Sequence, residues 1–149
     1  MIRRSLTGDG AEKLAQMPLF AELSPGERRM LARLVDELTA QPGEVVVSQG
    51  EPGYEVLVIE EGCADVVKDG ERINTMQAGD FFGELAVLDE SQRGGLRSAS
   101  VVASSELRAI VFTAHFLHEV RERMPSIRER IDQVASQRIE RDERARRGA

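Results

Sequence analysis

The chain has 149 residues, with 26 acidic side chains against 20 basic ones and a net charge of −6 at pH 7. This length suits one domain with a real core, and the acidic balance excludes a general nucleic-acid binder, which needs a basic footprint to meet phosphate. The charge is uneven, because nine arginines stand against six acids from Arg121 onward, leaving 11 basic and 20 acidic residues on the body. A solvated basic face is the default reading of that tail, and pairing with the body or with a partner is the alternative. Cys63 is the single cysteine, so there is no internal disulfide, and a small half-buried strand residue is expected there. No apolar stretch reaches the length of a membrane span or a signal-peptide core, and a soluble cytoplasmic protein with no membrane partner is expected.

Residues 1–11 read as a flexible N-terminal arm, with one domain over 12–149. A short apolar-periodic piece with Leu14, Met17 and Phe20 leads to Ser24-Pro25-Gly26-Glu27. Ser24 suits an N-cap, Pro25 the first helical position, and Glu27 completes a capping box. Met30, Leu31, Leu34, Val35 and Leu38 then recur at helical spacing, so the helical part is expected over 12–40 and ends at Pro42-Gly43.

The period changes after Gly43. Short β-branched runs at Val45-Val46-Val47, Val56-Leu57-Val58-Ile59, Ala64-Asp65-Val66-Val67, Ser100-Val101-Val102-Ala103 and Leu107 to Phe112 alternate with glycine-bearing turns. Asp69-Gly70 is a strong hairpin signal, since both central positions of such a turn favour residues that tolerate positive φ. An antiparallel β-roll, a jelly-roll-like double-stranded barrel, is expected over 44–112. Helical spacing returns over 113–147, with Phe116, Leu117, Val120 and Met124 on one face and Pro125 separating a second helix that carries Ile127, Ile131 and Val134. The fold class is therefore α+β: a β-roll flanked by an N-terminal helical part and a C-terminal helix pair. The C-terminal stripe suits either core packing or the seam of a homodimer.

No catalytic constellation stands out, and the chain is read as a non-enzyme. His115 and His118 sit on the C-terminal helices without an acidic motif in metal spacing, no strand run carries a histidine, and no glycine loop ends in Gly-Lys-Ser or Gly-Lys-Thr. The stretch that attracts attention is FGELAVLDESQRGGLRSAS, from Phe82 to Ser100. Gly83 lets the backbone approach a ligand, and Glu84, Leu85 and Ala86 open a helical turn whose free amides and dipole favour an anion. Glu84 is costly at that point unless its carboxylate meets a hydroxyl. Arg97, delivered by Gly94-Gly95, adds a forked cation suited to phosphate oxygens, and Ser98 and Ser100 are small donors beside the compact Ala99. A ligand with one phosphate and a neighbouring hydroxyl satisfies both groups. In the alternative, Glu84 and Arg97 pair with each other and the fold is a ligand-free interaction scaffold.

These residues carry a resemblance. From about Met17 to Ile139 the chain resembles the cyclic nucleotide-binding domain family, shared by catabolite-activator-type bacterial regulators, regulatory subunits of cyclic-AMP-dependent kinase and nucleotide-gated channels. The matching segments include Leu19-Phe20-Ala21-Glu22-Leu23-Ser24, Gln41-Pro42-Gly43-Glu44-Val45-Val46-Val47, Gln49-Gly50-Glu51-Pro52-Gly53 and Ala78-Gly79-Asp80-Phe81-Phe82-Gly83-Glu84-Leu85-Ala86, and the phosphate cassette closes at Arg97-Ser98-Ala99-Ser100. The resemblance implies that Gly83 and Glu84 hold the ribose hydroxyl, that Arg97 and the amides near Leu85 hold the cyclic phosphate, and that Ser98 touches phosphate or purine. It also implies a terminal helix that closes over the base, with Arg138, Arg141 and Asp142 at the lid position.

One departure concerns spacing. The family's arginine commonly follows the glutamate by nine residues through a Gly-x-Pro-Arg, whereas Arg97 follows Glu84 by 13 with Leu96 in place of proline. Asp89 to Arg93 reads as an insertion, and Arg93 stands at the usual distance. Arg97 is the expected cassette arginine, because it alone precedes the small-residue strand and strand register is set by which residues point inward. The ligand expected is cyclic AMP ahead of cyclic GMP, without cofactor or metal. The chain ends at Arg144-Ala145-Arg146-Arg147-Gly148-Ala149 with no room for a helix-turn-helix, so a regulatory module or a fragment of a larger effector is expected, with no DNA binding of its own.

Overall fold

The computed structural model describes residues 1–6, 10–83 and 95–147. In chain order these form β1 (Ile2–Ser5), α1 (Gly10–Ala15), a 3-10 turn (Pro18–Phe20), α2 (Pro25–Ala32), β2 (Asp36–Ala40), β3 (Val45–Val47), β4 (Glu55–Glu61), β5 (Cys63–Lys68), β6 (Glu71–Gln77), β7 (Phe81–Phe82), β8 (Ser100–Ala103), β9 (Leu107–Thr113), α3 (Ala114–Arg123) and α4 (Pro125–Arg147). The strands pair into one sheet ordered β1-β2-β9-β4-β7 and a second ordered β3-β8-β5-β6. All the pairings are antiparallel.

Two-residue alternation makes the larger sheet the middle of three layers. Along β4, Val56 and Val58 join the helix-side core with Leu14, Phe20, Leu31, Leu117 and Ile131, while Leu57 and Ile59 join the inter-sheet core. Along β9, Ile110 and Phe112 face the helices, whereas Leu107, Ala109 and Val111 face the other sheet. The pair Phe81 and Phe82 divides in the same way. The chain passes from one sheet to the next at Gly62, whose φ is +93° and whose added Cβ would run into the Glu106 carbonyl. Only glycine allows that close approach.

Local chemistry explains several elements. Ser24 Oγ accepts from the Glu27 amide at 3.1 Å while Glu27 accepts from the Ser24 amide at 2.9 Å, so the expected capping box starts α2. Asp69 and Gly70 both have positive φ, 52° and 81°, and form the β5–β6 turn. The stripe of Leu117, Val120, Ile127 and Ile131 is buried against the larger sheet, with Met124 and Val134 partly buried beside it. Core packing thus accounts for residues that also suited a dimer seam.

Four expectations are corrected. The sheets share no strand pairing, so the described residues form two packed antiparallel sheets instead of a closed barrel. The N-terminal helical part does not extend to residue 40: α2 ends at Ala32, Asp36–Ala40 is a strand along β9, and Met30 and Leu34 are exposed. Val35 and Leu38 are three apart, a spacing that suits a helix, but five residues of ladder pairing with β9 override the local pattern. The N-terminal arm is also a strand, running from Ile2 opposite Thr39 to Ser5 opposite Asp36, because β2 would otherwise leave an open hydrogen-bonding edge. Cys63 is exposed, not half-buried.

Candidate functional site

A cavity of about 350 Å³ opens at the edge of the inter-sheet space, lined by apolar Leu38, Val46, Val47, Leu57 and Val111 and by polar Arg3, Glu51, Glu55 and Arg97. Register places these side chains. Leu38, Leu57 and Val111 lie on the inward phase of β2, β4 and β9. Arg97 is set by the segment before β8: its amide donates to the Glu51 carbonyl at 2.8 Å, its carbonyl accepts from the Gly50 amide at 2.9 Å, and Pro52 bridges Leu96.

The half-buried Arg97 guanidinium is anchored by backbone oxygens. Its Nη1 donates to the Glu55 carbonyl at 2.9 Å and to the Gly83 carbonyl at 3.4 Å. Gly83 has φ +94°, and a Cβ there would lie 2.7 Å from the Glu55 carbonyl oxygen and directly against Arg97 Nη1. The glycine therefore meets two needs at once, a left-handed backbone and room for the guanidinium. The result is a fixed cation at the wall of a mostly apolar cavity, an arrangement suited to a small anion with an apolar body.

The other sequence-selected residues are distributed as follows. Glu84, Leu85 and Ala86 lie outside the described residues, as do Arg93 and the insertion around Asp89. Phe82 is in the inter-sheet core and does not line the cavity. Ser98 is exposed and Ala99 half-buried. Ser100 accepts from the Gln49 amide at 2.9 Å, so its hydroxyl holds the loop after β3. Arg138 on α4 donates to the Phe81 carbonyl at 2.6 Å and lies 5.5 Å from the centre of the Phe81 ring. Arg141 and Asp142 continue α4, and their side chains lie outside the described ones.

Sequence reading missed Arg3 and Glu55. Arg3 donates through Nε to Asp36 at 2.7 Å and through both terminal nitrogens to Glu55, with Nη1 at 2.9 Å. Glu55, ahead of Asp36, holds the guanidinium well above its ordinary pKa against the opposing cost of burial. The signal was present in β4, where Glu55 has the same parity as Leu57 and Ile59. Nothing in the sequence marked residues 2–5 as the strand that brings Arg3.

A second charged group lies on the helix side. Lys13 Nζ is 3.0 Å from Glu37 and 3.8 Å from Glu60, and Arg108 pairs with Glu61. Burial, and then the neighbouring Glu37 carboxylate, push the Glu60 carboxyl up to about 7. Among the described residues no group of three or more His, Cys, Asp or Glu could hold a metal ion, and no helix is long and apolar enough to cross a membrane.

Comparison with known proteins bears on this geometry. The family model described as "Cyclic nucleotide-binding domain" matches residues 37–124. A cAMP-dependent protein kinase regulatory subunit from Hypocrea atroviridis is 34% identical over 95 residues, covering 64% of this chain and 20% of the relative. The chain thus spans only about a fifth of that relative's length. Among solved structures, the regulatory domain of Toxoplasma gondii PKA with cAMP has a TM-score of 0.69 at 25% identity, covering 86% of this chain and 49% of that one. A cyclic nucleotide-binding domain from Methylobacillus flagellatus has a TM-score of 0.68 at 27% identity, covering 89% of this chain and 78% of that one. With the matched segment spanning more than half of its length and the site built on the same fold, the chain belongs to the cyclic nucleotide-binding domain family.

Proposed function

We propose that the chain is a regulatory module that binds a cyclic nucleotide, cyclic AMP in preference to cyclic GMP, in the cavity beside Arg97. The observation that carries this reading is the Arg97 guanidinium, fixed by the Glu55 and Gly83 carbonyls at the wall of a cavity with apolar sides. A cyclic phosphate offers the fork its oxygens, and the purine and sugar ring suit the apolar walls. Gly83 and Glu84 would hold the ribose hydroxyl, the amides at Leu85 and Ala86 the phosphate, and Ser98 the phosphate or purine edge. The preference for cyclic AMP is supported by the kinase regulatory subunits and by the Toxoplasma gondii structure, which carry that nucleotide in their names.

The output would pass through α4. Arg138 ties this helix to the Phe81 carbonyl, two residues before Gly83, so a shift at the start of the cassette pulls on the terminal helix directly. Arg141 and Asp142, about one turn further on, complete the lid in this reading. Such a switch requires the open and closed forms to differ in ligand affinity. An effector protein, or a second copy, would receive the signal at the C-terminal helices. The exposed Cys63, with no cysteine to pair with, fits a reducing cytoplasmic setting.

A thermal-shift titration with both nucleotides tests this reading. Ligand at a hundred times its Kd adds about 2.7 kcal/mol, which at this chain length raises Tm by roughly 5–10 °C. Unchanged melting with both nucleotides would instead identify a ligand-free scaffold.

A further inference from the structure

We propose that Arg3, carried by the N-terminal strand β1, sets the affinity of the cavity for an anionic ligand by neutralising the carboxylate of Glu55, which lines the cavity beside it. This rests on the reading of the cavity as an anion site.

Register directs Arg3 toward the cavity. Arg3 lies directly opposite Leu38, and directly opposed residues of an antiparallel pair project to the same side of the sheet. Leu38 is in the inter-sheet core, so Arg3 projects toward the cavity, and it lines that cavity together with Glu55 and Arg97. Asp36 and Glu55 have the inward phase of β2 and β4, two acids at the end of a strand face that is otherwise apolar. Unpaired, Glu55 in the lining would set negative charge beside the place where a phosphate must sit.

Glu55 links the two arginines. Its carboxylate takes both terminal nitrogens of Arg3, and its backbone carbonyl takes Nη1 of Arg97 at 2.9 Å. Arg3 thus cancels a charge at the residue that anchors Arg97 and fixes the side chain that would otherwise be free to swing toward it. Stability alone is a weak reason for this ion pair. Its partners are 41% and 29% exposed, and pairs that exposed contribute little to folding. Ligand affinity is where the charge matters.

Isothermal titration with cyclic AMP tests the proposal on the full chain. Arg3→Ala is expected to raise Kd tenfold or more, with Tm changed by only a few degrees. The loss should shrink as salt is raised, since screening removes a repulsion between partly exposed charges. Adding Glu55→Gln to Arg3→Ala should recover most of the affinity, because the backbone carbonyl that holds Arg97 is retained. Arg3→Lys should lie between the wild type and Arg3→Ala, and Arg4→Ala, one residue along on the opposite face, should bind as the wild type does. Unaltered affinity in Arg3→Ala, or a loss that Glu55→Gln does not recover, overturns the role of Arg3 while leaving the cavity's function in place. Failure of the wild-type chain to bind either cyclic nucleotide overturns both readings together.

Discussion

Arg97 and Gly83 are in direct contact, with the guanidinium seated where any side chain at position 83 would have to begin. Both features of Gly83, its φ of +94° and this contact, bar a Cβ, and the Glu55 carbonyl closes the remaining space. Gly83→Ala is therefore expected to destabilise the fold by about 1–3 kcal/mol, as forced left-handed geometry does. It should also weaken cyclic AMP binding by at least tenfold, because Arg97 must move. Denaturant melts and a titration on the same sample check both. Wild-type affinity in a folded Gly83→Ala chain would show that the contact does not position the arginine.

Arg97→Ala should remove nucleotide-dependent stabilisation while leaving the chain folded. The stability cost is set by the Glu55 carbonyl losing a half-buried donor, about 1–2 kcal/mol. Arg97→Lys should recover little, since one ammonium cannot both satisfy that carbonyl and grip a phosphate with a planar fork. Arg93→Ala is expected to leave affinity unchanged. Calorimetry on the three variants distinguishes the two arginines.

The legible part of this fold was the part with strong local chemistry. Ser24, Pro25 and Glu27 mark a helix start because capping groups act over three residues, and Asp69-Gly70 marks a turn because only certain residues tolerate its φ. Gly83 and Arg97 could be selected because a glycine beside an acid after an apolar strand end, and an arginine before a run of small residues, are distinctive local patterns, and the structure puts the two in contact. What failed depended on distant pairing. Asp36–Ala40 becomes a strand through β9, some 70 residues away, and residues 2–5 become a strand through β2. Since Arg3 reaches the cavity only through that second pairing, its part in the site could not be seen before the register was known.

Arg138 gives a test of the route from cavity to terminal helix. Its guanidinium bonds the Phe81 carbonyl and lies near the Phe81 ring. Arg138→Ala is expected to leave cyclic AMP binding within a few-fold while abolishing ligand-induced protection of α4 from hydrogen exchange. Protection that persists in the variant would route the signal elsewhere.

Glu60 should make stability depend on pH in an unusual direction. Its carboxyl is raised to about 7 in the folded chain by burial and by Glu37, and one of its oxygens is buried without a hydrogen-bond partner. A group whose folded pKa exceeds its unfolded one binds more protons when folded. Its stabilising contribution is complete below about 4.5, the ordinary glutamate value, and is lost as pH rises through about 7. Glu37 is shifted the opposite way: burial raises it, but Glu60 and then Lys13 more than offset that and hold it ionised, so its contribution is lost as pH falls. The two together predict a stability maximum on the acid side of neutrality. Glu60→Gln keeps the shape of a protonated carboxyl and should flatten the decline between pH 5 and 7, whereas Glu37→Gln should remove the like charge and let Glu60 ionise at lower pH. Urea melts of the three proteins across that range read the slope directly, and a wild-type chain as flat from pH 5 to 7 as Glu60→Gln would mean that Glu60 is already ionised throughout.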